Sequence, residues 1–497
     1  TASNNVAVGY QALLSNTTGA YNVGVGHRAL YVVTSGERNT AVGHNALTVN
    51  TGSYNTAYGF KTLYANTSAT HNVGVALWAN TTGGSNTAIG TEALTNSTTS
   101  GNNVAVGRSA MLANTTGYSN TAIGHSALDA NTTGLNNIAI GQNALGASIV
   151  KSYNVAIGVG AMATGTLGTY NVAVGNESGL AVGSNYNTAL GNMALRNTTT
   201  GGNNTAIGNK SVYTNTTGYS LVGLGFETLF ANTTGTHNVA IGHTAMKAQT
   251  TGSNNVAIGS YALDVGTTTH SNTAVGFSAM SNATTSDNNT AIGFEALLGN
   301  TTTQGNTAIG YAAGRALDGG SLNVIIGKHA HSIGTTGTYN VAVGNECMYN
   351  TTSTYNAIVG NMAFRAQTTG ANNCGLGHKA GYANTTGYNL VALGYEALMT
   401  NTTGVQSVAI GHSALILQTT GHSNVGCGNY SGKNISTGYN NTGCGHNSLR
   451  DCTTGNNNEG FGTLAQYNIT TGTNNCAIGQ SSNSTAPNAT NQITLGN

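Results

Sequence analysis

A chain of 497 residues would ordinarily make about three globular domains, yet only 5% of these residues are charged, the net charge is +1 and 72 residues are glycine. Ordinary soluble domains carry roughly 25% charged residues. The clustered Lys and Arg needed to hold nucleic acid or an anionic membrane are therefore missing, and no 18-residue apolar run offers a transmembrane helix.

The chain opens on Thr1-Ala-Ser-Asn without a signal-peptide pattern and at once enters a repeat that fills its length. The repeating stretch is Asn-(Thr/Val)-(Ala/Gly)-(Val/Ile)-Gly, as NVAVG from Asn103, NTAIG from Asn120, NIAIG from Asn137 and NVAIG from Asn154. Twenty-nine starts follow one another, nearly all 17 residues apart; copies from Asn39, Asn171 and Asn340 have 16 residues and the copy from Asn72 has 14. A fixed short period over a whole chain predicts a solenoid. The fold expected is mainly β, a parallel β-solenoid over residues 1–497 as one continuous array, about 29 rungs. At ~4.8 Å per rung these would make a rod roughly 140 Å long. The opening residues read as the tail of a preceding repeat, and Gly496-Asn497 closes inside another, so both ends look cut from a longer protein.

Within one repeat, position 1 is Asn in 26 of 29 copies, Leu221, Leu390 and Ser407 being the exceptions. Asn103, Asn120, Asn137, Asn154 and Asn171 are thus predicted to form an amide ladder at a corner. Positions 2 and 4 are β-branched and position 3 is Ala or Gly in 27 of 29 copies, with Ile325 and Ile358 outside the rule. This reads as a short strand, apolar toward the coil interior at 2 and 4 and tiny at 3. The tiny face predicts a close backbone neighbour, either the far wall of the same coil or a second chain. Glycine stands at position 5, as at Gly107, Gly124, Gly141, Gly158 and Gly175, in every copy except that holding Ala76. Positions 6–11, such as Phe294 to Gly299 (FEALLG), carry helix formers and predict one or two helical turns, with Leu or Met at position 9 set inside against position 4. Positions 12–15, typically Asn-Thr-Thr-Gly, predict an extended piece and a tight corner.

Candidate sites are few. His329 and His331 form the only His-x-His, a metal site if copies surround a threefold axis, or else a packed pair; the histidines at position 6 read as variety at a polar edge. Tyr153, Tyr170 and Tyr186 end consecutive copies, and their stack would hold a sugar ring or simply stabilise the coil. Sequons recur at position 12 (Asn16, Asn114, Asn131, Asn215, Asn232, Asn300, Asn384 and Asn401), either N-glycosylation sites along one line or turn chemistry. Six cysteines fall in the last third. Cys427 and Cys444, at one repeat position in adjacent copies, read as small hydrophobes or as a disulfide pair. No nucleophile elbow, zinc-protease or phosphate-loop motif occurs, so neither an enzyme nor a cofactor is expected.

The NVAIG copies from Asn154 and Asn255 resemble the repeat of YadA-like heads in trimeric autotransporter adhesins, and the longer rungs ending in Asn-Thr-Thr-Gly resemble repeat shafts of phage and bacterial tail fibres. The likeness covers essentially the whole chain. Only the 14-residue copy from Asn72 has the adhesin repeat length, and 17 departs from it. The closing NATNQITLGN, Asn488 to Asn497, resembles the lead into an endosialidase-type intramolecular chaperone. The resemblance implies a left-handed β-roll, three chains around one axis (a homotrimer) and attachment to a host or cell surface. The expected role is the shaft or adhesive stalk of a virion fibre or surface adhesin, with a cell-surface glycan as the candidate partner of the Tyr stack. The alternatives are a single-chain solenoid polymerising end to end into an extracellular filament, and an ice-binding solenoid using its Thr arrays.

Overall fold

The computed structural model describes residues 2–75, 77–78, 80–166 and 168–496; Thr1, Asn497 and Ala76 lie outside them. The chain forms a parallel β-solenoid in two units, Thr1–Thr251 and Gly252–Asn497. The first holds strands β1 (Val6–Val8) to β15 (Val239–Ile241), the second β16 (Val256–Ile258) to β30 (Ile493–Leu495). Inside each unit successive strands pair in parallel, displaced by one repeat: Val104, Ala105 and Val106 face Thr121, Ala122 and Ile123, and Val391, Ala392 and Leu393 face Val408, Ala409 and Ile410. The last strand belongs to a thirtieth rung, in which Gln492 occupies the place of Asn.

The strand is turned opposite to expectation. Ala105, Ala122 and Ala139 at position 3 are completely buried, whereas the β-branched residues at positions 2 and 4 are half-buried or exposed. The tiny face looks inward because the coil is narrow and the far wall fills it with position 9. A Cβ placed on Gly24 would sit 3.5 Å from Leu13 Cγ and 3.6 Å from Leu30 Cδ1, so position 3 packs on the Leu of its own rung and of the preceding one. Leu and Met at position 9 are buried as expected, but against Ala and Gly of position 3, not against position 4. Volume is conserved locally, as close packing requires. Phe364, the largest fully buried side chain, stands where glycine occupies positions 3 and 9 of the next rung; a Cβ on Gly375 would lie 2.6 Å from its ring. Where position 9 is Gly314, Ile325 of the following rung fills the space.

Among the described residues no helix forms; positions 6–11 fold as turns. Positions 7 and 9 take positive φ, 57° at Ser109 and 51° at Met111, and position 17 does likewise, 58° at Asn102. Helical N–H groups would bond four residues back, but here they bond across rungs: Ser109 N donates to Thr91 O (2.8 Å) in the preceding rung and Met111 N to Ala127 O (3.0 Å) in the next. Left-handed backbone costs a non-glycine residue roughly 1–2 kcal/mol. It persists because each such residue satisfies its donor in a neighbouring rung and position 9 buries its side chain, so tertiary structure overrides helix propensity.

Two amide ladders hold the corners. Asn120 N and Nδ2 both donate to Asn103 Oδ1 (2.9 and 3.3 Å), while Nδ2 also donates to Gly134 O at 2.8 Å. Asn137, Asn154 and Asn171 repeat the backbone bond to the preceding Asn at 2.9, 3.0 and 3.0 Å. The second ladder runs through position 12, where Asn131 Nδ2 donates to Asn114 Oδ1 (3.0 Å) and to Gly134 O (3.1 Å). These amides are fully buried, and an unpaired one would cost about 1–3 kcal/mol.

Candidate functional site

With the interior filled by positions 1, 3, 8, 9 and 12, the outer surface is built from positions 2 and 4 on the strand, 6, 7 and 10 on the turns, and 16 and 17 at the corner. Position 4 is apolar in all thirty rungs although it faces outward: Val, Ile, Leu, Cys, Tyr58 or Phe461. Ile123 is 39% exposed and Ile410 38%. Position 2 adds Thr, Val, Ile, Ala and Cys, with Glu459 its single charge. Each unit thus carries an uninterrupted apolar stripe whose exposed area is on the order of 1,000 Å², above the few hundred Å² usual for a lone soluble chain.

Beside the stripe, rings stack in columns because one repeat position recurs at the strand spacing. Tyr10, His27, His44 and Phe60 at position 6 stack at centroid separations of 5.3, 4.7 and 5.4 Å, as do Phe277, Phe294 and Tyr311 at 5.3 and 5.1 Å. His27, His44, His243, His378 and His412 at position 6 are therefore ring partners, which their scatter along the sequence conceals. Tyr153, Tyr170 and Tyr186 lie exposed at the corner and stack at 5.0 and 5.4 Å, nearly parallel. Where Arg or Lys stands at position 10 of the next rung, Glu at position 7 pairs with it, Glu177 with Arg196 at 2.7 Å and Glu346 with Arg365 at 2.6 Å. Such partly exposed pairs contribute about 0–1 kcal/mol each.

Two motifs that the sequence left with alternative readings are placed by the fold. The His329–His331 pair does not converge. His331 occupies position 9 and is wholly buried, with Nε2 donating to Thr351 O at 3.0 Å, whereas His329 packs edge-on against Tyr311 on the outer side. Among the described residues no group of three or more His, Cys, Asp or Glu is placed to hold a metal. The sequon amides are likewise not displayed. Asn114, Asn131, Asn215, Asn232, Asn300, Asn384 and Asn401 are completely buried and Asn16 half-buried, and the side chains at position 12 bond inside the coil. An Nδ2 so enclosed leaves no room for a glycan in the folded rung.

The six cysteines are free thiols. Cys427 and Cys444 are register partners in adjacent strands, and burial, with Cys427 alongside, raises the Cys444 thiol. Burial pushes Cys347 and Cys452 up to about 12, so both act as interior packing groups.

Burial lowers His331 from 6.5 to about 4. The ring is wholly buried and packs directly on Gly334, where an added Cβ would come 2.5 Å from Nε2. The unfolded chain therefore takes up this proton first as pH falls. The neutral histidine's contribution is complete above pH 6.5 and is lost between there and about 4, at most about 3 kcal/mol. We expect urea denaturation to show an acid-side loss over this window that His331→Leu removes; an identical pH profile in the variant would contradict the assignment.

No protein-family model matches the chain, and no curated protein matches it significantly.

Proposed function

We propose that the chain is a structural fibre shaft that works as an assembly of identical copies, with the outward stripe of positions 2 and 4 as the surface between them. The supporting observation is the unbroken apolar position 4 on a face that a solitary solenoid would present to water. The available area in each unit is on the order of the ~800 Å² that one partner brings to a stable interface. Identical rung spacing lets one stripe lie in register on another. Three copies about one axis is the arrangement favoured by the likeness to trimeric adhesin heads and tail-fibre shafts. In this reading the fibre is extracellular or on a virion, and presents a surface-binding tip.

A structural role also suits the chemistry of the surface, where carboxylates such as Glu177 and Glu346 are engaged in rung-bridging ion pairs. Native mass by light scattering tests the proposal. Three chain masses, unchanged over a hundredfold dilution, is the expected result, and a single chain mass would reject it. A mass that grows with time into fibrils would replace the trimer with end-to-end stacking through the terminal strands.

A further inference from the structure

The 14-residue copy from Asn72 breaks the outer surface in a specific way. Asn80 retains its place in the position-12 ladder, donating to Gly83 O at 2.6 Å, and Leu77 retains the buried place of position 9. Three residues are missing between the strand and Asn80, and Leu63 N donates to Leu77 O, the carbonyl place that position 8 holds in other rungs. The columns at positions 6 and 7 are consequently interrupted by one level. Phe60 and Lys61 stand on one side, Thr91 and Glu92 on the other, about 9.6 Å apart at two rung spacings.

The gap is a cavity of about 690 Å³, within the range of small-ligand sites. Trp78, the only tryptophan of the chain, lies at its edge, 48% exposed, and Phe60 is 68% exposed as the end of the Tyr10–His27–His44–Phe60 stack. Lys61 Nζ sits 5.3 Å from the Phe60 ring centroid and 5.5 Å from that of Trp78. Glu92 accepts from Ser109 Oγ at 2.9 Å through Oε2, which leaves Oε1 as an acceptor.

A ring at the vacated level would lie ~4.8 Å from Phe60, the stacking distance of the columns, with donors and an acceptor around its rim. We propose that this notch binds a neutral hexopyranose unit of a glycan. An aromatic ring would satisfy the stacking but would add no acceptor for the Lys61 ammonium and leave the Glu92 Oε1 acceptor unused. One charge of each sign at the rim disfavours both acidic and basic sugars. The site is independent of the assembly proposed above, since it lies within one chain.

Because Trp78 is the single tryptophan, its fluorescence reports this site alone. The purified chain would be titrated to about 10 mM with cellotetraose, maltotetraose, chitotetraose and galactotetraose, and with the peptide Gly-Tyr-Gly. A saturable shift in Trp78 emission with at least one oligosaccharide is expected. It should weaken about tenfold or more in Phe60→Ser, an exposed position whose loss leaves the coil intact. It should vanish when three inserted residues restore a 17-residue rung. No shift with any oligosaccharide, a shift with Gly-Tyr-Gly alone, or unchanged sugar affinity in Phe60→Ser would each overturn the proposal.

Discussion

Gly124→Ala is expected to destabilise the solenoid by on the order of 4 kcal/mol, combining a φ region closed to other residues with overpacking against main chain. Gly124 has φ 136°, and an added Cβ would lie 2.6 Å from Gly141 O and 2.7 Å from Gly141 C in the next rung. Both obstacles are backbone held in the inter-rung ladder, so no side chain can swing aside. Gly24→Ala is the control. Its Cβ would meet Ala29 O at 3.4 Å and the Leu13 and Leu30 side chains at 3.5 and 3.6 Å, its backbone is not left-handed, and Ala occupies the same repeat position in most rungs. That variant should lose far less. Coupling in a solenoid is between neighbouring rungs, so hydrogen exchange in Gly124→Ala should quicken around residues 103–158 and remain native in rungs far from it. Equal stabilities of the two variants in urea would show that position 5 is not the constraint argued here.

Placing opposite charges on the stripe, Ile123→Lys with Ile140→Glu, is expected to weaken self-association at least 100-fold while leaving the coil folded. Both side chains face outward, so neither enters the core, and adjacent rungs place the two charges where they can pair. Against a second copy, however, the pair would be taken out of water, a desolvation cost of several kcal/mol per ion that their mutual attraction offsets only in part. Sedimentation velocity would show the mass of the assembly falling to that of one chain, with the circular dichroism unchanged. Retention of the original mass would mean that copies meet through some other face, the aromatic columns being the next candidate.

The repeat unit was legible because a solenoid writes its period directly into the chain. Asn at position 1 and Gly at position 5 recur since each must meet its own copy in the next rung, through an amide bond in one case and close backbone approach in the other. The same spacing set the strand register, seen in Ala105 against Ala122, and placed Tyr153, Tyr170 and Tyr186 in one stack. The notch was visible as a count of 14 residues beginning at Asn72, but its chemistry was not, because Phe60, Trp78 and Glu92 belong to three different rungs.

What the sequence determined by itself was therefore the period, the register and the positions whose residue recurs from rung to rung. Tertiary structure decided which way each residue faces. A three-residue strand with small and large residues alternating is compatible with either side inward, since period 2 carries no sign. The narrow coil chose Ala for the inside, because Leu and Met of position 9 already fill it from the opposite wall. It also turned Ser109 and Met111 into left-handed residues where their neighbours favour a helix, because their N–H groups find carbonyls only in adjacent rungs. The apolar stripe on the outside and the buried sequons follow from that one choice of side.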